Sequence, residues 1–253
     1  MNEYNQLPFQ HLHLKEGDQG ASIISPSILN WDFTCLGCAG FSSCSGIISY
    51  LTGYQCGKDW LAELISSYEA AYGMKPPVDI WSIDVYPIDW LNLPNNDPSQ
   101  MAFYAANGRL SFKHSQIVTE QLARMRAYLS SIPEYATTPI WITEIAIHVA
   151  YDDIDFQKLR PIGNYHWDFM SDYLNEVLDW LELNAAANQI ERWFFFTTWK
   201  NIVDPPAEDP YMGIIFFDGR DVSAPLNCLG KVYRARALGE IPISCDADGN
   251  IVP

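Results

Sequence analysis

The chain has 253 residues, a net charge of −16 and a pI near 4.5. It therefore offers no basic stripe to nucleic acid or to an anionic membrane surface. Hydrophobic residues make up 48% and charged residues only 18%, enough apolar surface for one large α/β domain or two small ones and too much for a disordered chain. No apolar run approaches the ~20 residues that span a bilayer. Met1-Asn2-Glu3-Tyr4 lacks the basic and apolar regions of a signal peptide.

In chain order, Tyr4 to Lys15 spaces Leu7, Phe9, Leu12 and Leu14 as the tail of a helix, followed by a Gly-Asp-Gln-Gly turn. Ser22 to Leu29 is the first near-continuous apolar run, as expected of a buried parallel strand. A helix follows over Lys58 to Met74, closed by Gly73 and Pro76-Pro77. The second strand is Val78 to Tyr86 and the second helix His114 to Ile132, stopped by Pro133. Pro139 to Ile147 is the third strand. Leu174, Val177, Leu178 and Leu181 mark a third helix over Trp167 to Ala187. Arg192 to Trp199 is the fourth strand, and a last helix runs from Leu226 to Leu238 and ends at Gly239.

Strand then helix, four times, predicts a parallel sheet in a single domain spanning residues 1–253. The excess length lies after the strands, at 30–56, 87–112, 148–164 and 200–225, in segments rich in Asn, Asp, Pro, Gly and aromatics. Long loops beyond strand C-termini mark the functional face of a (β/α)8 barrel. Only four βα units are present, so strand edges are left open to pairing.

Six cysteines fall in two groups: Cys35, Cys38, Cys44 and Cys56 in the first loop, Cys228 and Cys245 near the C-terminus. An even number in local groups fits disulfides and an extracellular or cell-surface setting. Free thiols and a zinc site on the first four remain alternatives, although the Cys35-Leu36-Gly37-Cys38 unit has no second C-x-x-C. Neither His11 with His13 nor Asp152, Asp153 and Asp155 has the context of a metal site, and no phosphate-cradling Gly motif follows a strand. No cofactor is expected.

The stretch Thr138-Pro139-Ile140-Trp141-Ile142-Thr143-Glu144 ends a buried strand in a carboxylate with no basic neighbour in sequence. Such a group is either paired in space, with Arg192 for example, or chemically active. In a parallel barrel the other strand ends converge on it: Asn30-Trp31-Asp32, Asp84-Val85-Tyr86-Pro87 and Thr198-Trp199-Lys200, with His148 four residues past Glu144. A carboxylate beside a phenol and indoles suits a sugar subsite. Nine Trp residues and 14% aromatics fit an aromatic-lined groove as well as a large core.

Trp141-Ile142-Thr143-Glu144, Ile83-Asp84-Val85-Tyr86-Pro87, Trp199 and the closing segment Gly230-Lys231-Val232-Tyr233-Arg234-Ala235 resemble strands six to eight and the last helix of the retaining glycoside hydrolases of clan A. The resemblance implies the C-terminal half of a TIM-type (β/α)8 barrel, strands five to eight, in an N-terminally truncated chain whose signal peptide is lost with the missing part. It implies Glu144 as nucleophile, Tyr86 as its hydrogen-bond partner and Trp199 under the −1 sugar, with Asn30, Trp31, Asp32, Asp84 and His148 lining the cleft. The substrate would be a β-linked oligosaccharide or polysaccharide, with neither nucleic acid nor membrane as partner. The acid/base Glu of the family follows an Asn at the end of strand four. Asn2-Glu3 has no strand before it and lies too close to the first one, so Glu3 reads instead as a helix-start acid. The expectation is thus a glycosidase lacking half its carboxyl pair; a non-catalytic carbohydrate-binding or structural barrel fragment is the alternative.

Overall fold

A computed structural model of the chain describes residues 20–32, 57–86, 115–146, 167–196, 216, 223 and 225–253. Its centre is a four-stranded parallel sheet, β1 (Ile28–Leu29), β2 (Trp81–Val85), β3 (Ile140–Ile145) and β4 (Ile190–Phe195), hydrogen-bonded in sequence order. The helices are α1 (Gly57–Tyr72), α2 (Ser115–Ser130), α3 (Trp167–Asn184) and α4 (Cys228–Ala237). This is a mixed α/β unit consistent with part of an α/β barrel. Among the described residues no helix is long and apolar enough to cross a membrane.

Each helix buries one stripe. Leu61, Ile65 and Tyr68 of α1, Val118, Leu122, Met125 and Leu129 of α2, and Tyr173, Leu174, Val177 and Leu181 of α3 recur at three- and four-residue intervals. All but Tyr68 join one core with Ile28, Trp81, Ile83, Val85, Ile140, Ile142, Ile145 and Ile190 from the sheet. Each fully buried Leu, Ile or Val contributes about 1.5–3 kcal/mol relative to exposure. Gly73 (φ 71) turns the chain out of α1. Asn227 caps α4 by accepting from the Gly230 amide at 2.9 Å.

The first strand is much shorter than the apolar run Ser22 to Leu29. Ile24 forms an isolated bridge to Ile80, and pairing resumes only at Ile28. Pro26 lies between them and has no N–H for the ladder. The fourth strand begins two residues N-terminal of expectation, because the polar, exposed Glu191 hid the strand start. The strands are also not covered alike on both faces: Leu29 and Phe194 remain 41% and 48% exposed.

An antiparallel pair absent from the sequence reading, β5 (Ser244–Cys245) and β6 (Ile251–Val252), follows α4. A Cys228–Cys245 disulfide, with a Cα–Cα separation of 6.0 Å, ties it to α4. The Cys245 amide donates to Ser171 Oγ (3.0 Å) and Asn175 Nδ2 to the Ile243 carbonyl (3.1 Å), fastening the same segment to α3. Cys35, Cys38, Cys44 and Cys56 lie outside the described residues, as does the helix expected over Tyr4 to Lys15.

Candidate active site

The polar face of the sheet is built at the ends of β2 and β3. Ile83 pairs with Ile142, but Asp84 pairs with Glu144, so Thr143 is one extra residue in β3. This is a β-bulge, a device that re-aims side chains. Its consequence is visible in the partners. Thr143 Oγ1 donates to Asp84 Oδ1 (2.7 Å), whereas Glu144 Oε2 accepts from the Tyr86 hydroxyl. Asp84 and Tyr86 are two residues apart and share a face; the bulge therefore brings consecutive Thr143 and Glu144 onto that same face.

Tyr86 is 3% exposed. Burial, then its hydrogen bond and charge interaction with Glu144, and then the Asp84 charge, push its hydroxyl far above the ordinary phenol range. The phenol thus stays a donor at neutral pH and holds one oxygen of the carboxylate. Ser27 Oγ lies 2.8 Å from Thr143 Oγ1 and extends the polar chain across to β1. Glu144 is only partly buried.

The structure brings Glu144, Tyr86 and Asp84 together as the sequence suggested. Arg192 does not join them: its guanidinium lies 4.9 Å above the Trp141 ring. Asn30 also reaches the group, though not as a surface residue. It is 1% exposed, and its side-chain oxygen accepts from the Tyr86 amide at 2.8 Å.

Trp31 and Asp32 are placed differently from the expectation that they line the cleft. The left-handed conformation of Asn30 (φ 54) turns the chain toward α2. Trp31 is buried with its ring 5.2 Å from that of Tyr128, and its amide donates to Gln121 Oε1 at 2.8 Å. Arg124 grips Asp32 with two bonds, Nε to Oδ2 at 2.6 Å and Nη2 to Oδ1 at 2.8 Å. Both residues thus anchor the β1 end to a helix. Trp199 and His148 lie outside the described residues.

Thr143, Gln121 and Arg124 were not singled out in the sequence. Thr143 stood inside the quoted motif, but a bulge has no sequence signature there. The polar helix positions of Gln121 and Arg124 look like solvent-facing ones until their partners are known.

Residues 99–212 match a family described as glycosyl hydrolase catalytic core. The matched region is less than half the chain and includes α2, β3, α3 and β4, and hence Glu144, but not Tyr86 or Asp84. It supports a glycoside hydrolase-like function. No curated protein and no solved structure matches the chain.

Proposed function

We propose that the chain is the C-terminal half of a (β/α)8 glycoside hydrolase of clan A type, a single domain over residues 1–253. It acts on β-linked oligosaccharides or polysaccharides, by a retaining mechanism with Glu144 as nucleophile. The observation that carries this reading is the Tyr86–Glu144 hydrogen bond at the ends of adjacent parallel strands. It holds a partly buried carboxylate that pairs with no cation among the described residues. The family match around Glu144 supports a carbohydrate substrate.

In the first step a Glu144 carboxylate oxygen attacks the anomeric carbon. The glycosidic C–O bond breaks, and the leaving oxygen takes a proton from a second carboxyl group. Water then attacks the same carbon, gives its proton to that second group, and releases Glu144. Tyr86 donates to Oε2, which leaves Oε1 free to form the bond. Trp199 is the sugar platform, and His148 and Asp84 border the cleft. Asp84 does not serve as the second carboxyl: it is the cross-strand partner of Glu144 on the same face, whereas the pair in such enzymes flanks the scissile bond, roughly 5–5.5 Å apart. No described residue is assigned as that group, and on this reading the chain is incomplete alone.

The Cys228–Cys245 disulfide favours an oxidising, extracellular or cell-surface setting. A binding-only role is the second reading, favoured because among the described residues no other carboxyl group adjoins the Tyr86–Glu144 pair from outside β2 and β3. Glu144→Gln separates the two. In the intact protein, with both carboxyl groups, the hydrolytic reading expects the variant to bind oligosaccharide by calorimetry but to lose turnover of aryl β-glycosides at least a thousandfold. Turnover equal to that of the intact parent protein would overturn it.

A further inference from the structure

We infer that Asn30 is a positioning residue for Tyr86, acting as a side-chain extension of the sheet beyond the end of β1. Pairing of β1 with β2 ends at Leu29 and Asp84. Asn30 continues it in two ways: its amide donates to the Asp84 carbonyl (2.8 Å), and its side-chain oxygen accepts from the Tyr86 amide (2.8 Å). That oxygen stands where the carbonyl of a further strand residue would stand. It fixes the backbone of the residue whose hydroxyl holds Glu144.

The backbone geometry explains why Asn fits this position. At φ 54 most side chains are strained, whereas Asn tolerates the left-handed region and carries an acceptor close to its own backbone. Strain in a 1%-exposed residue is retained only where its surroundings enforce it. They do so from three sides. Gly57 packs so close to the Asn30 carbonyl that a Cβ there would stand 2.3 Å from the oxygen. Gln121 Oε1 accepts from the Trp31 amide, and the Arg124–Asp32 ion pair holds the next residue against α2. Two helices thus fix Asn30, Asn30 fixes Tyr86, and Tyr86 fixes the carboxylate.

The consequence for turnover rests on the glycosidase reading; the positioning itself does not, and it is tested without substrate. In the intact chain, proton NMR should show a downfield hydroxyl resonance that disappears in Tyr86→Phe, together with a Tyr86 amide protected from exchange. Asn30→Gly keeps the backbone conformation but removes the acceptor. It should move or broaden the hydroxyl resonance and reduce Tyr86 amide protection about tenfold, the loss expected for a single hydrogen bond. Asn30→Asp retains the acceptor and should restore both signals. An unchanged resonance in Asn30→Gly, failure of Asn30→Asp to restore it, or an unprotected Tyr86 amide in the parent chain overturns the inference, whether or not the glycosidase reading holds. Loss of turnover in Glu144→Gln bears on that reading alone.

Discussion

The proton shared by Tyr86 and Glu144 stays on the phenol, because burial and the neighbouring carboxylates make its loss costly. The bond therefore joins a phenol donor to a carboxyl acceptor. Its energetic worth is about 1.5–3 kcal/mol, which is roughly 10–150-fold in rate if it is fully expressed in the transition state. Tyr86→Phe is accordingly expected to lower kcat by up to a factor in that range and to lower the unfolding midpoint as well, as read by paired kinetics and urea titration. At this scale the sequence was informative for residues with a chemical signature. A Glu ending an apolar strand and a Tyr ending its neighbour were both visible. Trp31 and Asp32 misled for a physical reason: strand-end residues face the cleft only while the chain keeps its extended course, and the left-handed turn at Asn30 breaks it.

Among the elements, the helices and strands were legible because each repeats an apolar stripe. Their edges were not: Pro26 interrupts β1, and the polar start of β4 concealed two residues. The bulge at Thr143 was illegible as well, since it depends on register between strands and not on residue type. A second element-level feature, the close approach of α1 to β1, is testable through Gly57. Helix propensity alone would make Gly57→Ala favourable by about 1 kcal/mol. The added Cβ would stand 2.1 Å from Ile28 Cγ2 and 2.3 Å from the Asn30 carbonyl oxygen, an overpacking of about 1–3 kcal/mol. A lower urea midpoint is expected; a higher one would show that α1 can move away without loss.

Across the whole molecule, the tail after α4 is fastened by a cross-link between residues 17 apart. Two cysteine groups in the sequence pointed to disulfides, and this pairing is in the structure, but the small antiparallel pair it secures was too short to read. Replacing both Cys228 and Cys245 by Ser is expected to cost about 2–4 kcal/mol, seen as a lower Tm in calorimetry; an unchanged Tm would contradict it. The buried phenols set a second global property. Tyr86, Tyr135 and Tyr173 all have hydroxyls raised by burial first, with nearby carboxylates adding to the effect at Tyr86 and Tyr135. Above pH about 10 the unfolded chain loses these protons while the folded chain retains them. Folding then takes up protons, so stability falls as pH rises. Urea midpoints should be insensitive to these three groups below pH about 9 and fall steadily above about 10, with their ultraviolet phenolate signal emerging only on unfolding.

The central claim, that Glu144 forms a bond to sugar, is accessible even if the second carboxyl group is absent from the chain. A leaving group such as 2,4-dinitrophenolate departs without protonation, and a 2-fluoro substituent slows release of the glycosyl-enzyme. Intact-mass and peptide-mass measurement after incubation with 2,4-dinitrophenyl 2-deoxy-2-fluoro-β-glycosides is therefore the most direct test. The account predicts one added glycosyl unit on the peptide containing Glu144, absent from Glu144→Gln. No adduct, or one carried by another carboxylate and kept in Glu144→Gln, would contradict it.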